Sequence, residues 1–352
     1  MIGIWPRGAM VPCLTGTLAV LALGSASAHA QTVRGEVVEE SGGSPVSSAT
    51  VLLLDADGRR VAGAFTDERG RFALRAAAPG TLRVRVLRIG FRSTESPPLT
   101  LGAGEVRDVR LVAGTLPTQL AEVRITEQTR CESRPGEGEV VGQLWEEVRK
   151  ALLATVIAQE TRLVRVRLSY YERDLHPVTL RPAPEHRWAM EGVTSNPFVT
   201  LPPEQLARRG FVHREGDFNV YYGPDARLLL SDEFLAGHCL RAVPASKDAP
   251  GLVGIGFEPQ GRGNLPDVKG TLWLDEKTFE LRHLDFDYVR LAETLPPGRA
   301  GGRVEFGRLP SGAWIVQRWY IRMPQMRERQ SSDGLPPGGA SASALRSVAR
   351  II

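Results

Sequence analysis

Between Ala49 and Phe91, short apolar segments alternate with turn-forming residues. The apolar segments are Ala49 to Leu54, Phe72 to Ala76 and Leu82 to Val86, separated by Asp57-Gly58, Asp67 to Gly70 and Pro79-Gly80. Gly and Asp tolerate positive φ and Pro presets φ, so the chain can reverse at each of these pairs. Within the third segment, apolar residues alternate with Arg, except that Leu87 follows on the Arg side. The pattern predicts a meander of antiparallel strands with one buried face, which a second sheet must cover.

The same strand-and-turn rhythm extends over residues 31–126. The further strand candidates are Val33 to Val38, Pro97 to Leu101, Val106 to Val112 and Leu120 to Ile125. Six or seven short strands in a stretch of this length are typical of a β-sandwich.

This stretch resembles the carboxypeptidase regulatory-like domain, a transthyretin-type sandwich of seven strands. The matching features are the opening Val33 to Val37, the Pro45 to Val51 segment, Thr66-Asp67 followed by Gly70-Arg71-Phe72, and Gly90-Phe91. In that family the domain is an accessory attached to enzymes, outer-membrane receptors and many exported proteins. The resemblance therefore implies a fold and names no reaction.

After a polar linker at residues 127–142, the period of the apolar residues changes. Spacings of three and four relate Val141, Leu144, Trp145, Val148, Leu152 and Val156. These spacings place the residues along one side of a helix that runs to about Glu160. Glu146, Glu147, Arg149 and Lys150 occupy the other side.

Alternation returns after Leu163 and predicts a second domain of antiparallel strands over residues 143–329. Strand candidates are Val164 to Tyr170, Phe218 to Tyr222, Leu228 to Leu230, Gly254 to Glu258, Lys269 to Leu274, Leu281 to Arg290, Arg303 to Arg308 and Trp314 to Met323. Leu235 to Ala242 is predicted as a short helix around Cys239. Consecutive hairpins beside one helix are similar in pattern to the half-barrel of periplasmic lipoprotein-carrier proteins.

The predicted fold is therefore mainly β. A seven-stranded transthyretin-like sandwich precedes an α+β domain, which has a long curved antiparallel sheet and one long helix. Residues 330–352 are rich in Ser, Gly, Pro and Ala and predict a mostly disordered tail.

The first thirty residues have the features of a signal peptide. Arg7 precedes an apolar core from Val11 to Leu23, and Ala28-His29-Ala30 provides a small-x-small cleavage site. No later segment has the roughly 20 apolar residues that a membrane-spanning helix requires. The sequence predicts an exported protein, periplasmic or extracellular or peripheral to the outer membrane, without a transmembrane segment in the mature chain.

The net charge of +4 does not indicate nucleic-acid binding. Only four of the 44 basic residues are Lys, and the Arg residues are scattered beside Asp and Glu rather than clustered.

Two cysteines remain after cleavage, Cys131 and Cys239, and in an oxidising compartment a disulfide between them is the first hypothesis. Two buried thiols are the alternative.

Signatures of catalysis are absent from the sequence. None of the six His residues has Glu or Asp three positions later, as a zinc carboxypeptidase requires, and no G-x-S-x-G elbow occurs. We predict no catalytic residue, no cofactor and no metal. The best carboxylate candidates for catalysis are Asp232-Glu233 and the pair Asp285 and Asp287. Repulsion between Asp285 and Asp287 could raise the pKa of one of them. The simpler interpretation is a solvated sheet face, on which Arg282 and Arg290 neutralise these two carboxylates.

Aromatic residues are concentrated in the second domain. If the sheet curves, the inward-facing ones line a pocket for an acyl chain, a glycan or a peptide, whereas otherwise they form the core. The candidates for the pocket are Tyr170, Trp188, Tyr222, Trp273, Phe286, Tyr288 and Trp319.

The sequence favours an exported, non-enzymatic cell-envelope protein, in which an accessory sandwich precedes a domain that binds a lipid, a glycan or an envelope protein. The alternative is a hydrolase with an unrecognised active site in residues 143–329. A fragment of an outer-membrane receptor is a third reading, because Leu120 to Thr126 resembles the segment that follows this module in such receptors. The remaining length is too short for a large barrel.

Overall fold

The structure is a computed structural model of the 352-residue chain. It describes residues 31–116, 137–162, 166–175, 186–194, 196, 198–215, 218–245, 249–261, 263–291, 299–309, 313–325 and 344–351. The predicted fold class is confirmed: a β-sandwich precedes an α+β domain whose main sheet is antiparallel.

The sandwich consists of two facing sheets. Its strands are β1 (Gln31–Glu39), β2 (Thr50–Leu54), β3 (Arg60–Phe65), β4 (Arg71–Ala76), β5 (Gly80–Leu87), β6 (Thr94–Glu95), β7 (Leu99–Leu101) and β8 (Val106–Ala113). One sheet has the order β4-β1-β8, in which β1 and β8 are parallel, and the other has the order β3-β2-β5-β6 with β7 also paired to β5. Six of the seven predicted strands are present, β3 and β6 were missed, and the strand predicted at Leu120 to Ile125 lies outside the described residues.

The turns of the sandwich adopt the conformations that their residues predict. Gly58 and Gly70 have φ values of 79° and 72°, in the left-handed region that favours glycine. The backbone amides of Arg69 and Arg71 donate to Asp67 Oδ1 at 2.9 and 2.8 Å. Phe72 is buried and is the second residue of β4. The motif at residues 66–72 is thus a structural turn.

The helix α1 (Glu137–Glu160) begins four residues before the predicted start and ends at the predicted residue. Because its first turns overlap the predicted linker, only residues 127–136 of that linker remain outside the helix. These residues also lie outside the described part of the chain. The helix covers one face of the main sheet through contacts with four of its strands.

The main sheet of the second domain has nine strands. They are β9 (Val166–Leu175), β10 (His186–Thr194), β13 (His238–Val243), β14 (Leu252–Pro259), β15 (Asp267–Asp275), β16 (Leu281–Val289), β17 (Gly301–Arg308), β18 (Trp314–Gln325) and β19 (Ala344–Ile351). Their order is β10-β9-β19-β18-β17-β16-β15-β14-β13. A hairpin of β11 (Val212–Glu215) and β12 (Phe218–Tyr221) and the helices α2 (Pro203–Arg209), α3 (Ala226–Leu229) and α4 (Asp232–Gly237) complete the domain.

Three predictions about this domain differ from the structure. Leu228 to Leu230, predicted as a strand, lies largely in α3, because Asp225 caps that helix by accepting from the Leu228 amide. The helix predicted at Leu235 to Ala242 ends at Gly237, and Cys239 lies on β13. The tail predicted as mostly disordered contributes β19, which pairs with both β18 and β9.

Candidate functional site

The helix α1 is buried on two sides. One side packs in the core of the second domain, and the other packs against the outer face of the sandwich sheet through Ile157. Strand β2 makes this contact because it is apolar on both faces: Val51 and Leu53 point into the sandwich core, while Leu52 and Leu54 meet Ile157. The helix therefore joins the two domains through a hydrophobic interface.

A buried ion pair lies in the same interface, nearer the start of α1. Lys150 Nζ donates to Glu147 Oε1 at 2.5 Å and to the Phe91 carbonyl at 2.6 Å. Glu147 Oε2 accepts from the Gly90 amide at 2.9 Å. The two charges are paired and hydrogen-bonded to the sandwich, as buried charges must be.

Beside this ion pair, a cavity of about 460 Å³ opens between the sandwich and α1; we call it the interdomain cleft. Its lining is Phe91, Arg92, Ser93, Leu116, Gln143, Leu144, Glu146, Glu147, Lys150 and Phe279. Four of these side chains are apolar, and Phe91, Leu144 and Phe279 are buried. The volume lies within the range of small-molecule sites, roughly 300–1,000 Å³.

The ionisable groups of the interdomain cleft are mostly compensated. Glu147 pairs with Lys150, and Glu146 accepts from Arg149 Nη2 at 2.6 Å. Arg92 is exposed, and within the part of the chain that the structure describes its guanidinium has no hydrogen-bond or carboxylate partner. The cleft thus combines an apolar lining with one unpaired cation.

The structure separates the aromatic residues that the sequence grouped as pocket lining. Phe286, Tyr288 and Trp319 are buried in the core of the second domain, and Tyr222 packs beside them and stacks on His213. Trp273 lies on the opposite face of the sheet, where it meets His283. The side chains of Tyr170 and Trp188 fall outside the described residues. A pocket role for these residues stays a prediction.

A second cavity, of about 370 Å³, lies in the second domain between α2, α4 and the end of β16, and it contains His238, Asp267 and Arg290. His238 is buried; its Nδ1 lies 2.9 Å from the Phe234 carbonyl, and its Nε2 lies 3.2 Å from both Asp267 Oδ1 and the Val268 carbonyl. Both ring nitrogens face acceptors, so neither has a free position from which to remove a proton from a substrate. The arrangement is that of a structural histidine.

Asp285, one of the carboxylates considered for catalysis, is held in a structural ion pair. Burial alone would raise the pKa of Asp285, but hydrogen bonds from His283 and Arg303 outweigh it and lower the pKa to about 2. A general acid needs the opposite shift. Arg303 pairs with Asp285, whereas Arg282 pairs with Asp275 and Arg290 with Asp267, so neither predicted arginine is the one that neutralises Asp285. Asp232 and Glu233 are exposed in the first turn of α4.

Cys239 forms a disulfide, and its predicted partner Cys131 lies outside the described residues, so the pairing itself stays a prediction. In the ranges that the structure describes, no group of three or more His, Cys, Asp or Glu side chains is placed to hold a metal ion. None of the helices there has the length and apolar character needed to span a bilayer.

Sequence reasoning missed the interdomain cleft, although two signals for it were present. The run Ala49 to Leu54 is apolar without alternation, which indicates burial on both faces of a strand. Leu87 interrupts the Arg side of β5 and is 1% exposed. Together they show that the sandwich face opposite its core is also covered.

Residues 32–113 match the family model of the carboxypeptidase regulatory-like domain, which confirms the resemblance over this part of the chain. None of the curated proteins matches the sequence.

Several solved structures are similar to a part of the chain. The 5-hydroxyisourate hydrolase of Klebsiella pneumoniae has 17% identity over 24% of this chain and 85% of its own, with a TM-score of 0.20. A 3-chlorocatechol 1,2-dioxygenase from Rhodococcus opacus 1CP has 15% identity over 26% of this chain and 61% of its own, with a TM-score of 0.21. The minor pilin GBS52 of Streptococcus agalactiae has 14% identity over 27% and 49%, with a TM-score of 0.23. The chain thus spans less than two thirds of the dioxygenase and of the pilin, and TM-scores this low support no inference about function. The comparisons therefore relate one domain of the chain, residues 32–113, to the carboxypeptidase regulatory-like family.

Proposed function

We propose that the protein is a non-enzymatic binding protein of the cell envelope that holds a small amphipathic ligand in the interdomain cleft. The observation that carries the proposal is the cleft itself, which offers about 460 Å³ between the sandwich and α1. Apolar side chains supply much of its surface, and polar side chains stand among them. Ligand-binding pockets commonly have this composition.

Binding is favoured over catalysis because the reactive groups near the cleft are committed to structural bonds. Lys150 donates to Glu147 and to a backbone carbonyl, and Glu147 accepts from a backbone amide. A general acid or base must instead be free to reach the proton that it transfers.

The location in the envelope rests on the sequence. The first thirty residues have the charge, apolar core and small-x-small site of a signal peptide. The disulfide at Cys239 is consistent with an oxidising compartment. Accessory roles of the regulatory-like domain in exported proteins agree with this location.

Native mass spectrometry of the protein purified from its own envelope tests the proposal. We expect a co-purifying small molecule that is lost in Ser93→Trp, because the indole fills the cleft from an exposed position of its lining. Ala56→Trp is the control, since Ala56 is exposed in the turn between β2 and β3 and is not part of the cleft lining. Equal ligand occupancy in both variants would contradict a site in the cleft.

The hydrolase alternative predicts a different result. Its best-placed residues are His238 and Asp267 in the second cavity. Turnover of ester, peptide or glycoside substrates that is abolished in Asp267→Asn but retained in Ser93→Trp would replace the binding proposal with an enzyme.

A further inference from the structure

Resting on the proposed function, we infer that the ligand of the interdomain cleft is a single-chain amphiphile with a carboxylate head group, and that Arg92 binds this head group. The inference depends on the charges around the cleft and on where its apolar side chains lie.

Arg92 is the unpaired charge among the described residues that line the cleft. The other ionisable side chains of the lining are Glu146, Glu147 and Lys150, and each has an opposite charge within 2.6 Å. Arg92 directly follows Phe91 in the sequence, and the Phe91 carbonyl accepts a hydrogen bond from Lys150. The backbone of Arg92 therefore lies close to the buried ion pair. An arginine without a partner at the mouth of an apolar pocket is suited to an anionic group of a ligand.

The charge balance selects a monoanion over a dianion. Counted together with Arg149, which lies outside the lining and pairs with Glu146, the described charges at the cleft sum to one positive charge, that of Arg92. A carboxylate neutralises it and can accept two parallel N–H bonds from the guanidinium. A phosphate monoester carries up to two negative charges, and the second would lie without compensation close to Glu146 and Glu147.

Glu40 is the described carboxylate that limits this attraction. A Cβ added at Gly114 would lie 2.7 Å from Glu40 Oε2 and 3.9 Å from Arg92 Cδ, so Glu40 is near the stem of Arg92. No ion pair forms between them within 4 Å. Arg92 therefore remains available, although its field is weaker than that of an isolated arginine.

The apolar part of the ligand has a place beside Arg92. Phe91, Leu116, Leu144 and Phe279 supply the apolar lining, and burial of a hydrocarbon chain against them contributes about 0.8 kcal/mol per CH₂ group. Ser93 and Gln143 are exposed in the same lining and can donate to the second oxygen of the head group. A carboxylate head at Arg92 thus leaves the chain of the ligand in contact with the apolar side chains.

Calorimetric titration of the full mature chain with decanoate and with 1-decanol, both at monomer concentrations, tests the inference. We expect decanoate to bind at least about tenfold more tightly than the alcohol, because only the acid pairs with Arg92. Arg92→Gln should remove this difference while the alcohol binds as before. Arg75→Gln is the control, since Arg75 is an exposed arginine on β4 outside the cleft.

The outcomes distinguish a failure of the proposed binding function from a failure of the proposed role of Arg92. If neither compound binds, the proposed binding function in the cleft fails. If both bind with equal affinity, or if Arg92→Gln keeps the preference for decanoate, the function stands and the role of Arg92 is wrong. Tighter binding of decyl phosphate than of decanoate would overturn the assignment of a carboxylate head group.

Discussion

Lys150 and Glu147 form a buried charge pair on α1 that is hydrogen-bonded to the sandwich. Both side chains are at most 5% exposed, and each also bonds to the backbone of the Gly90-Phe91 turn. Removal of one partner leaves an uncompensated buried charge, which is far more costly than removal of both.

Lys150→Met should therefore lower the free energy of unfolding by about 3–5 kcal/mol. The double variant Glu147→Gln with Lys150→Met should recover a large part of this loss, because Gln keeps an acceptor for the Gly90 amide and no charge remains unpaired. Urea unfolding at equilibrium measures both values. A double variant no more stable than Lys150→Met would show that the ion pair is not the source of the effect.

Asp285 gives the second test at the residue scale. Its pKa in the folded chain is about 2 because the bonds from His283 and Arg303 outweigh the effect of burial. In the unfolded chain the pKa returns to about 3.9. Since the folded value is the lower one, the stabilisation is present above pH 4 and is lost as the pH falls towards 2.

The stability difference between the native protein and Asp285→Asn should accordingly be constant from pH 7 to about pH 5 and should shrink between about pH 4 and pH 2. Urea midpoints across this range provide the measurement. Asp108→Asn is a matched control, because Asp108 also pairs with an arginine across two strands, but on an exposed surface. A difference that grows on acidification would contradict the lowered pKa.

At the scale of elements, the sequence predicted the helix α1 but only one of its two packing contacts. The spacing of its apolar residues predicted its existence and its end at Glu160, because these residues pack on the main sheet. The second contact was not predicted, since Glu147 and Lys150 on the other side look like a solvated face and are buried only because they pair with each other and with the sandwich.

Some elements are stabilised mainly by contacts with residues far away in the sequence, and local sequence patterns therefore did not predict them. Strand β3 has no clear alternation in its sequence, and it forms by pairing with the strongly apolar β2. Strand β19 is stabilised by hydrogen bonds to β18 and β9, which lie far from it in the sequence. The cleft could not be predicted from local patterns, because it exists only where α1 meets the sandwich.

Gly142 provides a test of α1 as an element. It lies in the interior of the helix and is exposed, and an added Cβ would meet nothing within 4 Å. Gly142→Ala should raise the free energy of unfolding by about 0.5–1 kcal/mol, because alanine loses less backbone entropy in a helix. The shift of the urea midpoint measures it, and a decrease in stability would show that this turn is not helical in solution.

At the scale of the whole molecule, α1 contributes to the cores of both domains, so we expect them to unfold together. The helix packs tightly against Gly63 on β3, where an added Cβ would clash with Ile157 Cδ1. Ion pairs of Glu160 with Arg60 and with Arg227 bridge the sandwich, the helix and α3 at the same end. A defect placed at this interface should affect the coupling between the domains more than the fold of either one.

Differential scanning calorimetry should show a single transition for the native protein and two separated transitions for Gly63→Trp, whose side chain wedges the sandwich away from α1. Val61→Trp is the control, because Val61 lies on the same strand and is 47% exposed; it should keep the single transition. Binding at the interdomain cleft requires the docked domains, so decanoate should raise the transition temperature of the control and not that of Gly63→Trp. Two transitions in the native protein would mean that α1 does not couple the domains, and the cleft would then lack the rigid walls that selective binding requires.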